Sequence, residues 1–210
     1  MKVLVAGANG STGRLLIQYL KEDGHEAYGL VRKEEQKSTI EQLGGTPVLA
    51  DLTSDVGYAV KGMDAVIFAA GSGSSTGPEQ TEIVDRDGAI NLIKATENLG
   101  IKKFVMLSSI AAGQPERGNE EMKHYLKMKG EADDYLKTTE LDYSIVRPGG
   151  LTDEEGTSKV KVEKKVDGGT IPRADVAKTM IAALNEANAY HKTFELVSGE
   201  TQIEEALKSL

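Results

Sequence analysis

The sequence predicts an α/β fold: a doubly wound parallel sheet with helices on both faces, in a single domain spanning residues 1–210. Three observations carry this expectation. Apolar, β-rich runs alternate with helical patterns along the whole chain. The runs are continuous rather than every-other-residue, as in strands buried on both faces. At 210 residues there is chain enough for one core, with no internal repeat and no low-complexity linker to divide it.

The first strand, 2–6, runs straight into Gly7-Ala8-Asn9-Gly10-Ser11-Thr12-Gly13, and a helix follows over 12–23. The spacing Gly-x-x-Gly-x-x-Gly is informative because of that context. Gly7 allows a tight turn off the strand. Gly10 leaves room for a diphosphate against the backbone, and Gly13 allows the helix to pack closely on the sheet. The unpaired N–H groups and positive dipole end of the helix then face the anion. A purely structural tight turn is the alternative.

Further strands are predicted at 26–31, 46–50, 64–69, 102–108, 142–147 and 193–197. Helices are predicted at 34–43, 80–99, 120–138, 174–188 and 201–208, with a short helix or turn at 54–61. Three stretches lack periodicity: 71–79, 113–119 and the charged segment 150–172. Each follows the C-terminal end of a predicted strand, the edge where open parallel sheets bind ligands. They are the expected substrate-side loops, and 150–172 is the expected minimal substrate region.

The second strand bears on the cofactor. NAD sites end this strand with an acid that accepts hydrogen bonds from the ribose hydroxyls. Here the acid position is Val31, and Arg32-Lys33 follows. A guanidinium pairs with a 2′-phosphate that a carboxylate would repel. NADP(H) is therefore expected, with NAD less favoured. The alternative is that Arg32 and Lys33 are ordinary solvated charges. Asp51-Leu52, after the third strand, is expected beside the adenine, or Asp51 caps the turn at 54–61.

Composition excludes several classes. The net charge of −8 offers no basic surplus for nucleic acid or an anionic membrane. The chain has no cysteine, so disulfides and thiolate chemistry are absent. His25, His124 and His191 lack metal-ligand spacing and read as surface residues, so no metal is expected. No secretory signal and no membrane-spanning apolar run is visible. A cytoplasmic location is expected.

The residues carry a family resemblance over almost the whole chain. It rests on the Gly7–Gly13 turn, Ala50-Asp51-Leu52, Phe68-Ala69-Ala70-Gly71 and Val105-Met106-Leu107-Ser108-Ser109. It continues through Tyr125-x-x-x-Lys129, Arg147-Pro148-Gly149-Gly150 and Arg173-Ala174-Asp175-Val176-Ala177. The chain resembles an atypical member of the short-chain dehydrogenase/reductase superfamily, with a Rossmann-like fold. More narrowly, it is similar to bacterial NAD(P)-dependent epimerase/dehydratase-like proteins, with cousins among NmrA-like and biliverdin/flavin reductase proteins.

The resemblance implies a dinucleotide held by Gly7, Asn9, Gly10, Ser11, Thr12, Gly13, Arg32, Asp51, Leu52, Ala69, Ala70, Gly71, Lys129, Pro148, Gly149 and Gly150. It implies Ser109 as the group that hydrogen-bonds a substrate oxygen, Tyr125 as acid/base, and Lys129 as its partner on the nicotinamide ribose. Tyr125 and Lys129 are four residues apart and share a helix face. The ammonium is expected to lower the phenol pKa toward useful base chemistry. This is the chain's single Tyr-x-x-x-Lys, sixteen residues beyond Ser109. Many relatives carry an asparagine in a proton relay to the lysine; the corresponding position here is Asp85. The alternative places Asp85 on a solvent-facing helix surface. Pro148 is expected to stop its strand, and Gly149 and Gly150 to permit positive φ and close approach to a ligand. Arg147 reads as an ion-pair residue, and Asp175 as a stabilising residue at the start of its helix.

The expected function is an NADP(H)-dependent oxidoreductase acting on a small carbonyl or hydroxyl substrate. Two alternatives stand beside it: a flavin or quinone reductase with direct hydride transfer, and a non-catalytic NADP(H)-binding redox sensor. Extended relatives carry a much larger C-terminal substrate region, so a nucleotide-sugar substrate is poorly supported. A monomer or a homodimer is expected, the latter through helices 80–99 and 120–138.

Overall fold

A computed structural model describes residues 1–73 and 77–210. The first half reads β1 (Lys2–Ala6), α1 (Ser11–Glu22), β2 (Glu26–Val31), α2 (Lys37–Gln42), β3 (Thr46–Leu49), α3 (Gly57–Val60) and β4 (Ala65–Phe68). Next come α4 (Pro78–Thr81), a π-helical segment (Glu82–Gly88), α5 (Ala89–Asn98), β5 (Lys103–Leu107) and α6 (Lys123–Lys137). The chain closes with β6 (Asp142–Pro148), β7 (Gly150–Thr152), β8 (Lys159–Glu163), β9 (Thr170–Pro172), α7 (Arg173–Ala183), β10 (Lys192–Ser198), β11 (Thr201–Gln202) and α8 (Ile203–Lys208).

Among the described residues the main sheet has the order β11-β8-β10-β6-β5-β4-β1-β2-β3. From β3 to β10 every pairing is parallel. The order reverses between β1 and β4, which opens a crevice at their carboxyl ends. Side chains of β1 alternate between two cores. Val3 and Val5 pack with Leu16, Ile17 and Leu20 of α1 and with Val176 and Met180 of α7. Leu4 and Ala6 face Leu92 and Ile93 of α5, Leu136 of α6 and the buried Phe68 and Phe104. This is the Rossmann-like, doubly wound arrangement, in which each strand's run is apolar on both sides because each side is covered.

Two expectations are corrected. The segment 150–172 is not irregular: it contains β7, β8 and β9. β7 and β9 form a small parallel pair, while β8 enters the main sheet antiparallel to β10 and β11, so the sheet is mixed at that edge. The segment Lys159-Val160-Lys161-Val162-Glu163 has the alternation of a strand with one wet face; Val160 is buried, and its lysines made it look like loop. The helix predicted over 80–99 is interrupted by the π-helical segment, whose wider turns change which side chains face inward. Pro148 stops its strand as expected: it is the last residue of β6, and its carbonyl accepts Ile110 N–H at 2.9 Å. Ser74, Ser75 and Thr76 of the expected loop 71–79 lie outside the described residues.

Candidate functional site

The crevice at the β1/β4 reversal is a cleft of about 470 Å³. Gly7, Asn9 and Gly10 form its floor, Ala70 and Gly71 one wall, and Val31, Arg32, Ala50, Asp51 and Leu52 the other. Gly7 adopts φ +80°, and a Cβ there would lie 2.5 Å from Ala70 N, so the turn and the end of β4 touch backbone to backbone. Gly13 is equally constrained: its Cβ would fall 2.1 Å from Gly7 O. The chain turns back on itself at this point, and only glycine fits. Ala69 N–H, on Ala6 O at 2.9 Å, continues the β1–β4 ladder into the wall.

Ser11 and Thr12 start α1. No side chain caps this end of the helix, and no acid occupies its first turn. Its leading N–H groups and positive dipole end therefore face the cleft unopposed. Arg14 is tied back by bonds to Asn9 O at 3.0 Å and Asn9 Oδ1 at 2.9 Å. A glycine floor, an uncapped helix end and a cleft of this size suit the diphosphate and adenosine of a dinucleotide. Arg32 stands exposed at the rim, and the amides of Arg32 and Lys33 both donate to Gln36 Oε1. Asp51 lines the cleft and also caps a turn, accepting Thr53 N–H at 2.9 Å and the Thr53 hydroxyl at 2.8 Å. Those bonds, with Arg32 nearby, hold its carboxyl below the usual range. The start of α3 is held instead by Asp55, which accepts Gly57 N–H.

A second cluster lies beyond Gly71. Asp85, in the π-helical segment, is fully buried, not solvent-facing. Its Oδ2 accepts Ser72 N–H at 3.0 Å, and its Oδ1 sits 3.3 Å from Lys129 Nζ. Lys129, itself 3% exposed, also donates to Leu107 O at 2.9 Å and rests over the Phe68 and Tyr125 rings. Tyr125 is half-buried; the Ser109 hydroxyl, close enough to pull its pKa down, donates to Ile110 O at 3.2 Å. The structure thus brings Ser109, Tyr125, Lys129 and Asp85 together, and Gly71-Ser72 joins them to the dinucleotide-sized cleft.

The electrostatics correct one expectation. Lys129 does pull the Tyr125 phenol down, as does Ser109, but burial pushes it up more, and Asp85 and Asp133 add to that rise. The net shift is upward, and the phenol keeps its proton at neutral pH. Burial opposes the charge on Lys129, yet Tyr125, Asp85 and Asp133 together raise its pKa, so it stays an ammonium.

Gly149 and Gly150 are corrected too. Neither has a positive φ. A Cβ on Gly149 would meet Gly169 O at 2.4 Å, so the close neighbour is the protein's own 168–169 turn. Gly149 N–H bonds Leu196 O and Gly150 N–H bonds Gly169 O, both at 2.9 Å. Arg147 is an ion-pair residue, its partner being buried Asp133. Asp175, in the first turn of α7, accepts Thr157 and Ser158 N–H and anchors the segment before β8.

Two groups escaped the sequence reading. Asp133 continues the Tyr125, Lys129 register by four residues, the signal that marks it. Glu195, buried in β10, accepts from Ala111 N–H, Val166 N–H and Arg117, and so gathers the stretches 113–119 and 150–172. Among the described residues no group of three or more His, Cys, Asp or Glu is arranged to hold a metal ion. No helix there is long and apolar enough to cross a membrane.

The chain matches the model of the NAD(P)H-binding family over residues 7–187. It is 45% identical to the uncharacterized sugar epimerase YhfK of Bacillus subtilis, covering 100% of both chains. It is 29% identical to sanguinarine reductase of Eschscholzia californica, covering 99% of this chain and 93% of that one. A solved structure named for a NAD-dependent epimerase/dehydratase of Bacillus halodurans superposes with a TM-score of 0.96 at 43% identity over 100% of both chains.

Proposed function

The chain belongs to the NAD(P)H-binding family, an oxidoreductase-like family, and from that premise we propose that it is an NADP(H)-dependent reductase of small carbonyl compounds. The observation that carries the reading is the Ser109–Tyr125–Lys129–Asp85 cluster, in which Lys129 and Asp85 are buried, beside the glycine-floored cleft. Gly7, Asn9, Gly10, Ser11, Thr12, Gly13, Asp51, Leu52, Ala69, Ala70 and Gly71 hold the dinucleotide. Arg32 pairs with a 2′-phosphate, which selects NADP(H) over NAD(H). Lys129 reaches the nicotinamide ribose, and Pro148, Gly149 and Gly150 border the nicotinamide.

The reduced nicotinamide supplies the hydride. Ser109 donates a hydrogen bond to the substrate oxygen and fixes its place. Tyr125 gives its proton to that oxygen as charge develops, so a C=O becomes HC–OH. A phenol with a raised pKa suits this direction, since the acid must hold its proton until the alkoxide forms. Lys129 stabilises the phenolate left behind, and Asp85 keeps the ammonium in place.

A second reading has one observation in its favour. Leu151, exposed at 36%, lies in the segment 150–172, and Met122, exposed at 39%, lies just beyond 113–119; both are suited to stacking a flat acceptor. A flavin or quinone there takes hydride directly, without Tyr125.

NADPH oxidation against aldehydes, ketones, quinones and free flavin, with NADH as control, tests both. Carbonyl turnover that falls at least about 100-fold in Tyr125→Phe, with NADPH binding kept, is the expected result. Turnover that survives the substitution removes Tyr125 from the mechanism and moves the protein to direct hydride transfer.

A further inference from the structure

We propose that Asp133 is a positioning residue, which fixes the nicotinamide end of the site by holding three of its elements on one carboxylate oxygen. The proposal rests on the reductase reading above and extends it to a residue outside the reacting set. Asp133 lies four residues beyond Lys129 and eight beyond Tyr125, on the same face of α6. Its Oδ2 accepts the Ser108 hydroxyl at 2.7 Å and Arg147 Nε at 2.9 Å, and Arg147 Nη2 lies 2.9 Å away. Ser108 is the neighbour of Ser109 at the end of β5. Arg147 directly precedes Pro148-Gly149-Gly150 at the end of β6. One oxygen therefore ties the helix of Tyr125 and Lys129 to the strand end bearing Ser109 and to the turn bordering the nicotinamide.

Backbone bonds already fix β5 to β6, with Ser108 N–H on Val146 O at 2.8 Å. They do not fix the helix to the strands. Apolar packing between α6 and the sheet is non-directional. Directional links are the Lys129 bond to Leu107 O, the Asp133 hub and, to the loop after β5, Gly113 N–H on Leu126 O. Hydride and proton transfer need placement within a fraction of an ångström, and a misplacement of about 1 Å costs about 100-fold in rate.

A plain stability role does not account for a charge here. Asp133 is fully buried, and its Oδ1 has no hydrogen-bond partner among the described residues. Apolar residues of similar volume commonly replace a buried ion pair without loss of stability. The carboxylate does something an apolar cluster would not. Beyond its hydrogen bonds, it adds negative charge beside Lys129 and Tyr125. The other groups acting on the phenol are Lys129 on the same helix, Asp85 from the π-helical segment and Ser109 from the end of β5.

Asp133→Asn tests this, because an amide oxygen in the Oδ2 position still accepts from all three donors while the charge is gone. Tyr125 is followed by NMR of ¹³Cζ-labelled tyrosine, assigned with Tyr125→Phe, in free protein and with NADP⁺. The expected results are a titration moved to lower pH and kcat reduced by about tenfold or more, with NADPH affinity within about threefold of wild type. A residue that only stabilises the fold would lower the melting temperature and leave the titration in place. Ser108→Ala is the second variant: it keeps the charge, loosens the link, and is expected to lower kcat and alter the fluorescence of bound NADPH. It decides the matter should Asp133→Asn fail to fold. Variants with wild-type titration, kcat and NADPH fluorescence overturn the proposal. Wild-type protein without carbonyl turnover sinks the reductase reading instead, and Asp133 is then judged by the titration and fluorescence alone.

Discussion

Lys129 Nζ and Asp85 Oδ1 lie 3.3 Å apart with neither side chain meaningfully exposed. The pair joins α6 to the π-helical segment and stands between the dinucleotide-sized cleft and Tyr125. Asp85→Asn leaves a buried ammonium without its counter-charge, a loss of about 3 kcal/mol. Because Asp85 raises the Tyr125 pKa, the phenol should titrate at lower pH in the variant. Urea unfolding and the pH dependence of kcat check the two effects. A variant as stable as wild type, with an unmoved alkaline limb, would show that the pair carries neither role.

Arg32→Ala should weaken NADPH binding by about 10- to 100-fold, or roughly 1.4–2.8 kcal/mol, and leave NADH binding nearly unchanged. Isothermal titration with both cofactors makes the comparison. An equal loss for both would place the 2′-phosphate elsewhere and remove the reason for preferring NADP(H).

Gly13→Ala forces a Cβ against Gly7 O and Ala8 Cα, 2.1 and 2.8 Å away. Both are backbone atoms that cannot swing aside, so a cost of about 3 kcal/mol and weak cofactor binding are expected. Gly77→Ala is the contrast, with nothing among the described residues within 4 Å of the added methyl; it should stay within about 1 kcal/mol of wild type. Melting curves with and without NADPH separate the two. A tolerated Gly13→Ala would mean that the turn is looser than its geometry.

Arg117→Met removes the partner of Glu195, whose side chain is 3% exposed. Burial pushes the Glu195 carboxyl up, but bonds from Arg117, Val166 and Ala111 outweigh it and hold the pKa below its ordinary 4.5. A depressed carboxylate pKa contributes stability above the unfolded value, and that contribution is lost as pH falls through the folded one. The variant should therefore lose about 3 kcal/mol at neutral pH, and the gap to wild type should close in acid. Urea titrations across the carboxylate range decide this; a gap independent of pH would mean that packing, not charge, is what Arg117 provides.

Most of the sheet was legible because strands such as Val3–Ala6 and Ala65–Phe68 are apolar on both faces. The glycine turn was legible because backbone crowding leaves a residue-type signature. What escaped has a physical pattern. β7 and β9 are three residues each and exist through their pairing with one another, which local sequence does not encode. The π-helical segment keeps the composition of an ordinary helix. The direction of the Tyr125 shift depends on burial and on two carboxylates from different elements, so the local Tyr-x-x-x-Lys spacing suggested the opposite sign. Gly149 and Gly150 announced a close approach, but the neighbour was the protein's own turn.

β8 sits between β10 and β11, both of which come later in the chain. During synthesis the strands β2 to β6 can pair as they emerge, since each finds one neighbour among strands already made. β8 cannot: its first partner, Lys192–Ser198, is still unmade when Lys159–Glu163 appears. Protein synthesis proceeds at about 5–20 residues per second, so the strand waits for seconds without a sheet. The half of the sheet built from β1 to β6 thus takes shape first, and the mixed edge of β8, β10 and β11 is the last part of the sheet to be completed.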